Sequence, residues 1–205
     1  KKQLAKMQIA PQQIRYIFLT HAHDDHAGYL NEVLSECPDL QIVMSDKALE
    51  RLYRGQNSFH GGCTTKIALF FCYLMNFVGK GKHLFPSIKQ EYQCRCIQVT
   101  EQNRKQVELL LQGKIIDTPG HTADSISLLL NDGSLFCGDA AMNGLPSLHR
   151  ITIWAEDKAA FLQSWKTIIA LRPKLIYPGH GRPFVYGELK ENLNRAKTME
   201  VLPLH

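Results

Sequence analysis

Six consecutive residues, His21-Ala22-His23-Asp24-Asp25-His26, crowd imidazoles and carboxylates onto one short stretch. Four of them, His21, His23, Asp25 and His26, have the types and spacing of metal ligands. Neutral imidazole and carboxylate bind zinc, iron and manganese, and no thiolate lies in the stretch to indicate a closed structural Cys site. In extended backbone His21 and His23 project to the same side, while the adjacent Asp25 and His26 turn toward a second position as a helix begins. Four ligands on one turn suit two metals with open coordination positions, which points to catalysis rather than structure.

Three other places combine a strand end, a glycine and a side chain able to hold metal: Asp117-Thr118-Pro119-Gly120-His121-Thr122, Phe136-Cys137-Gly138-Asp139 and Tyr177-Pro178-Gly179-His180-Gly181. Each is weak alone, because such turns are common. Together they repeat one design. Gly120 permits the sharp turn and close backbone approach that would aim His121 inward. His21, His23 and His121 can then supply one metal, Asp25, His26 and His180 a second, and Asp139 can bridge the two. Two cations roughly 3.5 to 4 Å apart lower the pKa of a shared water and clamp the oxygen charge that develops on attack. The expected cofactors are therefore two divalent ions, zinc first, with iron or manganese as alternatives, and Asp25 is expected to ligate and orient the nucleophile.

These residues need strands to hold them. Residues 16–20 form an unbroken aromatic and β-branched run, which predicts a strand buried on both faces and ending at the histidines. Ligands gather at the carboxyl ends of strands in open α/β sheets. Residues 27–36 have helical spacing, 41–44 read as the next strand, and Ser45 or Asp46 can cap a helix through Leu49 and Leu52. That order predicts parallel neighbouring strands. Further strands are predicted at 94–100, 106–111, 114–117, 125–130, 134–137 and 175–177, with Asn131-Asp132-Gly133 as a hairpin turn. Helices are predicted at 157–171, capped by Asp157, and at 187–199.

Residues 55–90 differ in character and read as an insertion. The apolar run 67–75 is shorter than the roughly 20 residues that span a bilayer, so no transmembrane segment is expected. A buried or lid helix is the better reading. As a lid it would give the pocket apolar walls suited to an acyl chain, lactone or hydrophobic ester, with Phe59, His60, Phe70, Tyr73 and Met75 as wall residues. Packing into the core or against a second copy of the chain in a homodimer is the competing reading. The loop after Asp139 adds Asn143, His149 and Arg150 as candidate substrate contacts, Arg150 as an anion anchor.

The chain has 205 residues, 44% hydrophobic and 21% charged, which fits a single α/β domain over residues 1–205. The net charge of +5 is spread along the chain and does not imply nucleic acid; a small-molecule substrate is expected. None of the six cysteines forms a CxxC pair, and Cys94 and Cys96 are expected as a core pair on one face of a strand. Free thiols as the default state, and no apolar leader in the residues that open Lys1-Lys2-Gln3-Leu4, make the cytoplasm the expected compartment.

In this order, HAHDDH, TPGHT, CGDA and YPGHG resemble the metallo-β-lactamase superfamily, whose signature is His-x-His-x-Asp-His followed by one His, one bridging Asp and a final His. The resemblance covers residues 12 to about 185 and implies a four-layer αββα sandwich with a dinuclear metal site along one edge of the two sheets. All seven ligands of the family fall on the residues assigned above. The family also begins with strands ahead of the His-rich turn that are absent here, so the chain is expected to be N-terminally truncated, its exposed sheet edge open to pairing. The resemblance implies a hydrolase of an ester, thioester, lactone or related bond. A phosphodiesterase or nuclease is the alternative, disfavoured by the apolar rather than basic 55–90 segment, and a non-enzymatic metal-binding scaffold with a docking segment is the second.

Overall fold

A computed structural model describes residues 2–79 and 81–204. Along the chain it runs α1 (Lys2–Lys6), β1 (Tyr16–Phe18), α2 (Asp24–Ala27), α3 (Leu30–Glu36), β2 (Gln41–Ser45), α4 (Ala48–Arg54), β3 (Gly62–Cys63), α5 (Lys66–Phe77) and β4 (Cys96–Val99). It continues through α6 (Arg104–Leu111), β5 (Gly113–Asp117), β6 (Ile126–Leu130), β7 (Ser134–Gly138), β8 (Trp154–Ala155), α7 (Lys158–Leu171), β9 (Leu175–Pro178) and α8 (Gly187–Thr198). Strands β1, β2 and β4 form a parallel sheet in that order, with Tyr16 opposite Gln41 and Ile42 opposite Cys96. Strands β5, β6, β7 and β9 form the second sheet, antiparallel except for the parallel β7 and β9 pair.

The period of two in a strand explains the layering. On β2, Ile42 and Met44 face helices α3 and α4 with Leu30, Leu34, Ala48 and Leu52, whereas Val43 between them faces the other sheet with Val99, Ile115, Ile126 and Leu128. On β7, Leu135 and Cys137 pack under α7 and α8 against Phe161, Trp165, Ile168 and Leu189. The result is helix, sheet, sheet, helix: the αββα sandwich. Fully burying Trp165 or Phe161 is worth roughly 1.5–3 kcal/mol each by area. Asp157 caps α7 as expected, accepting from the N–H groups of Ala159 and Ala160 at 2.8 and 3.0 Å.

Several expectations need correction. Residues 106–111 are helical, not extended: Val107 and Leu111 lie one turn apart and pack between the sheets, while Leu109 and Leu110 face water. Arg104, Lys105, Gln106 and Glu108 favour helix, and the Glu108 carboxylate accepts from the Ile115 N–H, tying α6 to β5. Strand β1 is half-buried over its length because β2 flanks it on one side only among the described residues. Cys94 is exposed in a short 3₁₀ helix and Cys96 is half-buried, so they form no core pair. In α5 only Ala68 is buried among its described residues, and Phe70 is 71% and Phe77 89% exposed, which rules out a core helix. The cap position of α4 is taken by Lys47, whose N–H donates to Asp46 and Ser45. Among the described residues no helix is long and apolar enough to cross a membrane.

Candidate metal centre

Four strand ends meet at one edge of the sandwich. The turn after β1 carries His21 to His26, the turn after β5 carries His121, Asp139 follows β7 directly, and His180 follows β9. Two glycines make the approach. Gly120 has φ +131°, and a Cβ there would lie 2.3 Å from the Phe161 backbone. At Gly179 a Cβ would stand 2.5 Å from Asp139 Oδ1 and 2.7 Å from His26 Cε1, so the β9 turn can close on the site only without a side chain.

The seven residues singled out in the sequence come together. Ligand atoms of His21, His23 and His121 lie within 4.8 Å of one another, as do those of His21, His26 and Asp139, and those of Asp25, His26 and His180. Asp139 Oδ2 stands 3.7 Å from His121 Nε2 and 3.5 Å from His180 Nε2, between the two groups. His23 Nδ1 is 3.1 Å from His121 Nε2, and His180 Nε2 is 2.9 Å from Asp25 Oδ2. The three-histidine group is buried, whereas Asp25 and His180 open to solvent beside a cleft of about 470 Å³ whose apolar wall includes Phe18, Leu128, Phe136 and Tyr177.

Burial, reinforced by neighbouring imidazoles, pushes His21 and His23 well below the usual histidine range, leaving neutral rings with lone pairs to give. Against burial, the hydrogen bond from His180 and the charges of His26, His180 and His23 hold Asp25 below the usual carboxylate range. His180 is raised to about 8, first by its bond to Asp25. Three buried atoms of this cluster, His21 Nε2, His23 Nε2 and Asp139 Oδ1, have no hydrogen-bond partner among the described residues. Leaving such an atom unsatisfied costs roughly 1–3 kcal/mol. Imidazoles gathered around a buried carboxylate, with His21 and His23 held neutral and buried ligand atoms left without hydrogen-bond partners among the described residues, fit divalent cations.

The supporting shell was only partly legible in the sequence. His121 Nδ1 lies 2.9 Å from the Trp154 carbonyl and 3.0 Å from Thr152 Oγ1; donating its proton to the carbonyl leaves Nε2 as the free donor atom. Arg51, from α4, meets Glu156 through two bonds of 2.7 and 2.8 Å and Asp124 at 3.2 Å. Asp124 accepts from the Ala22 N–H at 2.8 Å, between two ligand histidines, and Glu156 donates its own N–H to the Gly120 carbonyl at 2.8 Å. One guanidinium thus ties the His21–His23 turn to the His121 turn. Asn57 and His83 both grip Asp24, at 2.8 and 3.1 Å. Asp124 had a signal, four residues past Gly120 in a ligand turn; Arg51, Asn57, Thr152 and Glu156 had none.

The expected substrate contacts divide. The Phe59 ring lies 6.4 Å from that of His83, and the His60 carbonyl accepts from Trp154 Nε1. Phe70 and Tyr73 are exposed on α5 and Met75 is half-buried, with no ring contact to the ligand histidines among the described residues. Asn143 latches the His180 turn by donating its N–H to the His180 carbonyl at 2.9 Å. His149 lies against Arg195 at 3.2 Å. Arg150 is no free anion anchor: Glu188 takes its guanidinium, which also lies over the Phe184 ring.

The profile of the Metallo-beta-lactamase superfamily matches residues 1–180. A Beta-lactamase-like protein 2 homolog from Caenorhabditis elegans is 27% identical over 172 residues, 82% of this chain and 42% of that protein. A hydroxyacylglutathione hydrolase from Nitrosococcus oceani is 26% identical over 173 residues, 82% of this chain and 49% of that protein. The chain thus spans less than half the length of these curated relatives. The solved structure of TTHA1623 in a di-iron-bound form superposes with a TM-score of 0.60 at 20% identity, covering 91% of this chain and 78% of that one. With the profile matched over most of its length, the chain belongs to the metallo-beta-lactamase superfamily.

Proposed function

We propose that this protein is a metal-dependent hydrolase acting on a carbonyl bond of the ester, thioester or lactone class. The observation that carries the reading is the meeting of seven ligand-type residues from four strand ends, three of their buried ligand atoms without hydrogen-bond partners among the described residues. His21, His23 and His121 would hold one cation, Asp25, His26 and His180 a second, with Asp139 between them. When bound, such a pair makes a water nucleophilic near neutral pH and stabilises oxygen charge as it develops. The rest falls to the chain's own residues. The ionised Asp25 carboxylate, fixed by His180, orients the attacking water from the solvent side of the site. The buried Asp139 and the Trp154 and Thr152 contacts of His121 hold the inner wall rigid while the acyl group is engaged.

Hydroxyacylglutathione is a thioester, so the relative from Nitrosococcus oceani favours thioesters within that class. Zinc suits the nitrogen-rich donor set, and the di-iron form of the TTHA1623 structure makes iron the alternative. The test is a purified protein reconstituted separately with each metal, its metal content measured, and its turnover followed on an ester, thioester, lactone and phosphodiester panel. Near two equivalents of metal and thioester or ester turnover lost in His121→Ala and Asp139→Ala are expected. Turnover of phosphodiesters alone would replace the carbonyl reading, and partner binding that survives chelation without any turnover would replace catalysis.

A further inference from the structure

Cys63 and Cys72, nine positions apart, finish with their sulfurs 3.3 Å from one another, the Cys63 S–H donating to Cys72. Cys63 is buried at the end of β3. Cys72 is half-buried on α5, one turn beyond the buried Ala68, on the stripe by which that otherwise exposed helix meets β3. The other four thiols are placed differently: Cys37 is buried in the helical layer over β2, Cys94 and Cys96 donate to the Glu91 and Tyr92 carbonyls, and Cys137 donates to those of Gly138 and Ala141. We propose that Cys63 and Cys72 form a redox-active dithiol that exchanges with a low-molecular-weight disulfide of the glutathione type and, when oxidised, pins α5 to β3.

The roles of the two sulfurs follow from their surroundings. Cys72 is the reachable one, and the hydrogen bond from Cys63, opposed by burial and helped by the charge of His83, lowers its thiol to about 7. Cys63 is held as the thiol by that same bond, then by burial. The groups bearing on the pair are therefore each other and His83, itself bonded to Asp24. The Cys72 thiolate attacks one sulfur of glutathione disulfide, forming a mixed disulfide and releasing one glutathione thiolate, which takes up a proton. Cys63 then gives its proton to solvent and attacks Cys72 Sγ, releasing the second glutathione. The protein loses two protons and two electrons, and one glutathione disulfide takes them up to become two thiols. A disulfide places its sulfurs about 2.05 Å apart, so the pair needs to close by only about 1 Å.

The bond would sit beside the metal cluster. Cys63 pairs with Trp154 across β3 and β8, and the Trp154 carbonyl takes His121 Nδ1. Thr64, the next residue, donates to the Thr152 carbonyl, and Thr152 Oγ1 also meets His121. Oxidation would therefore stiffen the strand pair that backs one ligand histidine.

The experiment is incubation of the folded protein with glutathione disulfide, followed by alkylation of the remaining thiols and mass mapping of unreduced peptides. The expected result is a cross-linked peptide joining Cys63 to Cys72, with two alkylation sites lost and a mass fall of about 2 Da for that bond. In Cys63→Ser the reaction should stop with glutathione retained on Cys72; in Cys72→Ser, Cys63 should stay unmodified. A wild-type protein in which both sulfurs remain alkylatable, or in which Cys72 keeps glutathione despite Cys63, overturns the proposal without recourse to any variant. So does a cross-link that forms only in urea.

Discussion

At the scale of single residues, the guanidinium of Arg51 does more for the centre than its place on a helix surface suggests. Its two carboxylate partners are nearly inaccessible, and each holds the backbone of a ligand turn. Removing one partner of a buried charge pair costs roughly 3–5 kcal/mol, and disturbing the shell behind a metal ligand typically costs 10- to 100-fold in affinity. Arg51→Met should therefore lower stability by about that amount in urea titration and weaken metal retention against a chelator by at least tenfold, while Arg51→Lys recovers stability better than retention. Unchanged retention in the Met variant would mean that the turns hold themselves. The seven ligand-type residues that the fold gathers stood out in the sequence because a dense His-x-His-x-Asp-His run is rare by chance and the other three lie beside glycine. Arg51 and Glu156 were not, since an Arg on a helix and a Glu ahead of a cap carry no signal until the fold brings them together over 105 residues. A second prediction belongs at this scale. Cys72, with its thiol lowered to about 7, holds its thiolate above that pH and loses it below. Its alkylation rate should rise through about pH 7, against roughly 8.5 for an ordinary cysteine, as read by peptide mass mapping across pH.

At the scale of elements, α7 was read correctly and α6 was not, for one physical reason. Helix α7 has a capping Asp157 and an apolar stripe that agree with its burial. Residues 106–111 present Gln-Val-Glu-Leu-Leu-Leu, a run that periodicity alone cannot divide between strand and helix, and the decision came from tertiary packing of Val107 and Leu111. The exposed apolar face of α5 could not be foreseen either, because an all-apolar helix is ordinarily buried. Asp157→Ala removes two capping bonds at the end of α7 nearest the Gly120 turn. It should cost about 1 kcal/mol in thermal or urea unfolding and leave metal stoichiometry unchanged. A loss of metal together with the cap would show that α7 positions His121 more directly than the Arg51 network does.

At the scale of the whole molecule, the centre joins two sheets whose interface is built mainly from side chains, with the Ile126 N–H donating to the Thr20 carbonyl at 2.9 Å close to the ligand turn. His21 to His26 come from the β1 sheet and His121, Asp139 and His180 from the other, so cations held by all seven would clamp the sandwich along one edge. Metal bound there would need these loops assembled, so its binding free energy would appear as folding stability, about 2.7 kcal/mol when free metal is 100 times its Kd. Chelation should accordingly lower the unfolding midpoint and relieve nothing in the helical layer of α7 and α8, whose packing on Leu135, Cys137 and Ile176 does not involve the seven candidate ligands. Hydrogen exchange makes the comparison local. On metal removal, amides of residues 20–27, 118–124 and 179–181 should lose protection, while those of α7 keep theirs until global unfolding. Equal loss everywhere would mean that the centre is not a clamp but a keystone, with the sandwich unable to hold its native packing once the buried ligand atoms of His21, His23 and Asp139 are left unsatisfied.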